Sequence, residues 1–314
     1  MTELPNEVAV SAQGLIRHFG AVAAVQGVSF SVTRGEIFGL VGPDGAGKTT
    51  IMRMLAGVLQ PQSGAIRIEG IDVITEPEKA KSRLSYMPQR FGLYDDMTVA
   101  ENVYFYAELF AVPRAVRRTR SGELMAAAGL GPFQRRLAGQ LSGGMKQKLG
   151  LVCALIHTPQ VLLLDEPTTG VDPVSRRDFW AILYDLRESG VTILLSTAYM
   201  DEAERCSRLA LVSGGEIRHC DTPARLKQAM PGALLAIAGD NPRNIRTALT
   251  GAPGVLGLLL MGDRVNARVD DADRRSPELL ARLAEHNIIP SEITRIEPAI
   301  EDVFVALLST GGAT

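Results

Sequence analysis

The stretch Gly42-Pro43-Asp44-Gly45-Ala46-Gly47-Lys48-Thr49-Thr50 sets glycines, a lysine and two hydroxyls in one turn, between the apolar run 37–41 and a helical pattern starting near Ile51. These residue types at this spacing fit the pattern G-x-x-x-x-G-K-[ST], whose chemistry is the binding of a polyphosphate. Backbone N–H groups can wrap phosphate oxygens only where side chains leave room. Gly42, Gly45 and Gly47 leave that room and reach the left-handed angles a wrap needs. The following helix presents its positive end to the anion, Lys48 supplies a cation for the β- and γ-phosphates, and Thr49 offers a hard oxygen to Mg²⁺. Much later, Asp165-Glu166 ends the apolar run 161–164. At a strand end, Asp165 suits a second Mg²⁺-binding carboxylate, and Glu166 suits a group that orients or deprotonates an attacking water. A nucleoside triphosphate with Mg²⁺ is the ligand these residues predict.

The elements around them must deliver both groups to one place. Residues 8–13 and 28–32 alternate apolar and polar positions, as half-buried strands do, with Arg17-His18-Phe19-Gly20 between them. Residues 36–41 read as a buried strand entering the glycine turn, 51–59 as the helix leaving it, and 65–69 as another short strand. A charged helix over 77–83 precedes the segment 84–88, which places Gln89 where a strand gives way to a loop. The pattern from Thr98 to Leu155 reads as helical throughout, with Thr98 and Glu101 forming a capping box. An amphipathic helix over 174–188 then leads to a buried strand over 191–196. Strands alternating with helices predict an α/β fold with a mostly parallel sheet. Beyond 226, short strands at 234–238, 255–260 and 264–269 and helices at 241–249, 277–286 and 301–308 predict a small α+β domain, with 311–314 a frayed tail.

With 314 residues, the chain predicts one large nucleotide-binding domain, 1–225, with a helical insertion over about 90–158, and a smaller domain, 226–314. A 46% hydrophobic and 22% charged composition is that of a folded globular protein, and a net charge of −2 gives no electrostatic reason to expect a nucleic-acid partner. Cys153, Cys206 and Cys220 lack metal-like spacing and read as thiols of a reducing compartment. The first residues, 1–7, hold no apolar core of a signal peptide, and no run reaches the roughly 20 apolar residues needed to span a bilayer. The basic segment 114–120 reads as a solvated helix face, and Tyr104, Phe105, Tyr106 and Phe110 read as core.

At Leu141-Ser142-Gly143-Gly144-Met145 the chain closely resembles the ATPase subunits of ATP-binding cassette (ABC) transporters, and the resemblance covers 8–226. The family's Leu-Ser-Gly-Gly-Gln signature corresponds to these residues, its Q-loop glutamine to Gln89, its adenine-stacking aromatic to Phe19 and its D-loop to Gly170-Val171-Asp172. The resemblance implies an N-terminal antiparallel β subdomain beside the parallel core sheet. It also implies ATP and Mg²⁺ as ligands, with Thr49, Gln89 and Asp165 at the metal and Lys48, Gln89 and Glu166 as the catalytic set. Two such domains dimerise head to tail, so Ser142, Gly143 and Gly144 of one chain close over the nucleotide held by Gly42 to Thr50 of the other. Polytopic membrane subunits and a location on the cytoplasmic face of the membrane follow as expectations. The segment 297–304 resembles the accessory domain of ABC-2 type exporters, the drug, antibiotic and polysaccharide efflux group.

One departure stands out. Where the family has a histidine after the strand 191–196, the sequence runs Ser196-Thr197-Ala198-Tyr199-Met200-Asp201-Glu202. An alanine methyl neither donates nor accepts a hydrogen bond. Two readings stay open: Tyr199 or a neighbour compensates, or this chain forms an asymmetric pair with a second ATPase that keeps the histidine. Milder departures are Asp44, where asparagine is commoner, and Met145 for the signature glutamine. A soluble ABC protein acting on ribosomes or DNA, and a regulatory ATP-binding module with little turnover, are the alternatives to an exporter subunit.

Overall fold

The computed structural model describes residues 7–309; residues 1–6 and 310–314, with the expected tail 311–314, lie outside them. The chain divides between Cys220 and Asp221 into two compact units.

In the first unit, β1 (Val8–Phe19) and β2 (Val22–Thr33) form one long antiparallel hairpin. The sequence showed only its two ends as strands, because register shifts near Gly14 and Gly27, both left-handed, interrupt the alternation. β3 (Ile37–Val41) is buried at every position and feeds α1 (Lys48–Leu55). β4 (Ser63–Ile68), β5 (Ile71–Asp72), α2 (Pro77–Lys81) and β6 (Leu84–Met87) follow. The insertion is α3 (Val99–Leu109), α4 (Arg114–Ala127) and α5 (Gly143–Leu155). It is not helical throughout: between α4 and α5 the chain makes only two short 3₁₀ turns. Gly129, Gly131, Pro132 and Gly139 fall there, and glycine and proline are poor helix formers. The expected capping box is present, with Thr98 Oγ1 accepting from the Glu101 N–H and the Glu101 carboxylate accepting from the Thr98 N–H. β7 (Val161–Asp165), α6 (Pro173–Glu188), β8 (Thr192–Thr197), α7 (Met200–Ala203), β9 (Arg208–Ser213) and β10 (Glu216–Asp221) complete the unit, although the last of these reaches one residue past the division.

The strands make two sheets, β2-β1-β4-β5 and β10-β9-β3-β8-β7-β6. In the second, β3 runs parallel to both β8 and β9, and β7 runs parallel to β6 and β8. β9 and β10, unread in the sequence, extend this sheet. α1 is clasped between the two sheets: Ile51, Met52, Met54 and Leu55 share one core with Val10 and Leu15 of β1 and with Phe38, Leu163 and Leu194 of the parallel strands. A helix apolar on so many sides cannot face water, and burying these side chains is worth roughly 1.5–3 kcal/mol each. The phosphate-loop helix is therefore held from both directions. In the insertion, Val99, Val103, Met125, Leu149 and Val152 make a separate core. Tyr104 and Phe110, expected inside, are 43% and 39% exposed.

The second unit contains α8 (Pro223–Gln228), β11 (Ala233–Ala238), α9 (Pro242–Leu249), β12 (Val255–Met261), β13 (Arg264–Val269), α10 (Ala272–Glu285), β14 (Glu292–Ile296) and α11 (Ile300–Ser309). Its sheet, β12-β13-β11-β14, pairs antiparallel throughout. α9 and α10 close its core with Ile245, Leu249, Leu279 and Leu283. α10 starts five residues before Pro277, the expected first residue, because Asp271 caps it by accepting from the Arg274 N–H. β14, whose Glu292 and Arg295 obscured it, is the further addition.

Candidate active site

The parallel sheet ends where its chemistry begins. Val41, Asp165 and Thr197 are the last residues of β3, β7 and β8, neighbouring strands whose ends lie together. A cleft of about 810 Å³ opens there, within the size range of a site for a small organic ligand. Asp44 to Thr50, Gln89 and Glu166 all line it, so the structure brings together groups that lie far apart in sequence.

The turn is shaped by its glycines. Gly47 has φ +102°, and a methyl group added to it would come within 2.4 Å of the Ala24 carbonyl oxygen. A methyl on Gly42 would meet the Val212 carbonyl oxygen at 2.2 Å. Gly45 is also left-handed, whereas Gly42 is not and is a glycine for want of room. We expect Gly47→Ala to abolish nucleotide binding and to cost about 1–3 kcal/mol of stability, because strain at a left-handed residue adds to backbone overlap. Equilibrium nucleotide binding and urea unfolding of the variant check both.

Lys48 is almost fully buried. Its Nζ donates to the carbonyls of Gly42 (2.8 Å) and Pro43 (3.0 Å) and pairs with Glu166 Oε1 at 3.2 Å. Glu166 has a left-handed backbone, φ +48°, unusual for a side-chain-bearing residue. Its N–H donates to Ser196 Oγ (3.0 Å), and its carboxylate accepts from Gln89 Nε2 (3.1 Å) and Thr169 Oγ1 (3.4 Å). Backbone strain of this kind persists where the surroundings over-determine it, and it clusters at working sites.

Thr49 Oγ1 and Asp165 Oδ1 stand 3.0 Å apart. Ser196 Oγ donates to the same Asp165 oxygen at 2.6 Å, and Tyr86 OH donates to the other at 3.2 Å. Burial first, and the Asp165 charge second, push the Tyr86 hydroxyl up to about 12, so it stays a donor at every physiological pH. Two hard oxygens side by side fit Mg²⁺, which takes one or two protein oxygens and completes its shell with water and substrate phosphates. Among the described residues no cluster of three or more His, Cys, Asp or Glu forms an all-protein cage. Neither Ser196, beside Thr197 at the end of β8, nor Tyr86, beside Ser85 in β6, belongs to a local motif that would mark it in the sequence. Only the shared sheet edge reveals that both hold Asp165.

Other residues stand apart from the cleft. Phe19 does not line it: the ring is 48% exposed at the end of β1, with the Arg17 guanidinium 5.0 Å from its centroid. Val22, Ala23 and Ala24 of β2 form the wall there instead. Ser142 and Gly143 are exposed and also lie outside the cleft lining. Ser142 caps α5 by accepting from the Met145 N–H at 3.3 Å. Gly144 is buried, and a methyl there would come within 2.4 Å of Ser175 Cβ, so it lets α5 pack against the first turn of α6. Asp172 caps α6, accepting from the N–H groups of Val174 and Ser175.

Residues 25–169 match the ABC transporter family. Over 95% of its length the chain is 33% identical to the daunorubicin/doxorubicin resistance ATP-binding protein DrrA of Streptomyces peucetius, covering 92% of that protein. The chain belongs to the ABC transporter ATPase family. Other members place it further. It is 41% identical over 98% of its length to the probable multidrug ABC transporter ATP-binding protein YbhF of Escherichia coli (strain K12), of which it spans only 54%. The solved ATP-binding subunit of an ABC transporter superposes with a TM-score of 0.64 at 28% identity, covering 70% of this chain and 92% of that one. The ABC ATPase fold is thus the architecture seen here, and no helix among the described residues is long and apolar enough to cross a membrane.

Proposed function

We propose that this chain is the ATP-binding subunit of an ABC-2 type exporter and couples MgATP binding and hydrolysis to movement of a substrate through separate membrane subunits. One observation carries the reading: Lys48 and Gln89 both contact Glu166, all three lining one glycine-built cleft, and Thr49 of the same lining contacts the buried Asp165 behind it. The exporter assignment draws on the likeness to proteins named for drug resistance and multidrug transport.

In this reading the loop N–H groups and Lys48 hold the phosphates. Thr49 and Asp165 would hold Mg²⁺, which when bound neutralises charge on the β- and γ-phosphates. Glu166 accepts a proton from water as the water oxygen bonds to the γ-phosphorus. The bond from that phosphorus to the bridging oxygen breaks, and ADP leaves with the electron pair. Gln89 fixes the second carboxylate oxygen of Glu166. Phosphate oxygens compete for Lys48 with the carbonyls and carboxylate it now contacts, so nucleotide entry also releases Glu166.

The exposed position of Ser142 and Gly143, away from this chain's own cleft, suits their use by a second ATPase chain. Ala198 lines the cleft where the family's histidine would stand, which favours an asymmetric pair with slow turnover at this site. A regulatory module that binds ATP with little turnover is the second reading, supported by the same alanine. Purification with whatever proteins accompany it tests both. An exporter subunit is expected to bring down a polytopic membrane protein, together with a histidine-bearing ATPase if the pair is asymmetric. Rapid hydrolysis by the chain alone would overturn slow own-site turnover.

A further inference from the structure

Ala198 leaves the end of β8 without a donor, but the next residue lines the same cleft. Tyr199 is half-buried, and its hydroxyl has no hydrogen-bond partner among the described residues. The rest of the residue is held firmly. Its N–H donates to Thr197 Oγ1 at 3.0 Å, and Thr197 Oγ1 in turn donates to Glu202 Oε2 at 2.6 Å. The guanidinium of Arg176, from the first turns of α6, lies over the Tyr199 ring at 4.1 Å from its centroid, a cation–π contact. Arg176 is steered there by two carboxylates, Asp201 at 3.6 Å and Glu202 at 3.8 Å.

Glu202 is the anchor of this arrangement. It is 1% exposed, yet Thr168, Trp180 and Thr197 all donate to its carboxylate, from the loop after β7, from α6 and from β8. A buried carboxylate must be paired and hydrogen-bonded to be tolerated, and this one ties together the loop of Glu166, the helix that follows Asp172 and the segment of Ala198 and Tyr199. A surface tyrosine would need none of this. The scaffold holds the ring of Tyr199 in place on a residue that lines the cleft.

We propose that Tyr199 is the catalytic hydrogen-bond donor to the terminal phosphate in this chain, in place of the absent histidine, and that Arg176 and Glu202 are its positioning residues. The inference rests on the reading of the cleft as an ATP site. Donation to oxygens on which charge develops in the transition state accelerates the step without tightening ground-state binding. The turnover that remains at this site therefore runs through Tyr199.

The test compares the full chain with Tyr199→Phe, Arg176→Ala, Arg176→Lys and Ala198→His/Tyr199→Phe, measuring equilibrium MgATP binding and single-turnover hydrolysis. Tyr199→Phe removes one unpartnered hydroxyl and is expected to bind ATP within about twofold of the parent while hydrolysing it on the order of a hundredfold more slowly. Arg176→Ala is expected to lose rate in the same direction by a smaller factor, with Arg176→Lys intermediate because a compact ammonium stacks less well than a guanidinium. In the Ala198→His background, Tyr199→Phe is expected to change little. Parental hydrolysis by Tyr199→Phe, or equal loss of binding and rate, would overturn the role of Tyr199. A parent chain that binds ATP but shows no turnover would overturn it too. A parent chain that binds no ATP would instead overturn the underlying reading of the cleft.

Discussion

Glu166→Gln is expected to slow ATP hydrolysis by about a hundred- to ten-thousandfold, the range that general-base catalysis contributes, while ATP binding stays within a few-fold of the parent. The amide has the size of the carboxylate but cannot take the proton from water. Its surroundings argue against collapse: the backbone remains anchored through the Ser196 contact to the Glu166 N–H, and Thr169 still faces an oxygen acceptor. The ion pair that is lost is the 3.2 Å contact with Lys48, and Lys48 keeps the carbonyls of Gly42 and Pro43. Weakening that pair frees the lysine for phosphate, so binding is expected to hold or tighten slightly. Single-turnover hydrolysis beside equilibrium binding separates the two effects. Turnover within threefold of the parent would remove Glu166 from the role of base.

Ala198→His carries the second large effect, in the opposite direction. One donor to developing phosphoryl charge is worth about 2.7–4 kcal/mol, or roughly a hundred- to thousandfold in rate, and because Tyr199 is proposed to supply part of this already, the histidine is expected to gain the remainder, up to that range. The position is suited to it. The Thr197 carbonyl accepts from the Gly42 N–H at 3.3 Å, which ties the end of β8 to the start of the phosphate loop, and Ala198 is the next residue. Half-buried at the cleft wall, it can carry a larger side chain without displacing the core. The same single-turnover assay on the isolated chain measures the gain. A histidine variant no faster than the parent would mean that Tyr199 already supplies the full contribution, and it would remove the main support for an asymmetric pair.

Much of this protein was legible in its sequence. The glycine turn, Lys48, Thr49 and the Asp165-Glu166 pair were evident because their chemistry depends on residues adjacent in the chain, and a local pattern records local geometry. The parallel strands were equally plain, since burial on both faces leaves uninterrupted apolar runs such as 161–164. The hairpin of β1 and β2 was half seen, as its left-handed glycines break the alternation by which a strand is recognised. The polar positions of β10 and β14 carry no such regularity, whereas β9, with its buried apolar run 209–212, shows the same pattern as the other parallel strands.

What only the tertiary structure decided is which distant residues share a neighbourhood. Ser196 and Tyr86 on Asp165, Gln89 on Glu166, and Arg176 on Tyr199 join elements separated by 31, 79, 77 and 23 positions. No one-dimensional pattern encodes such pairs. They arise because parallel strands bring their ends to one edge of the sheet. The same folding placed Phe19 outside the cleft lining and Ser142 and Gly143 on an exposed surface, and it placed Tyr199 beside an alanine that the sequence alone presented simply as a loss. Spacing along the chain determined the chemistry of the phosphate loop. The meeting of strand ends determined which groups surround it.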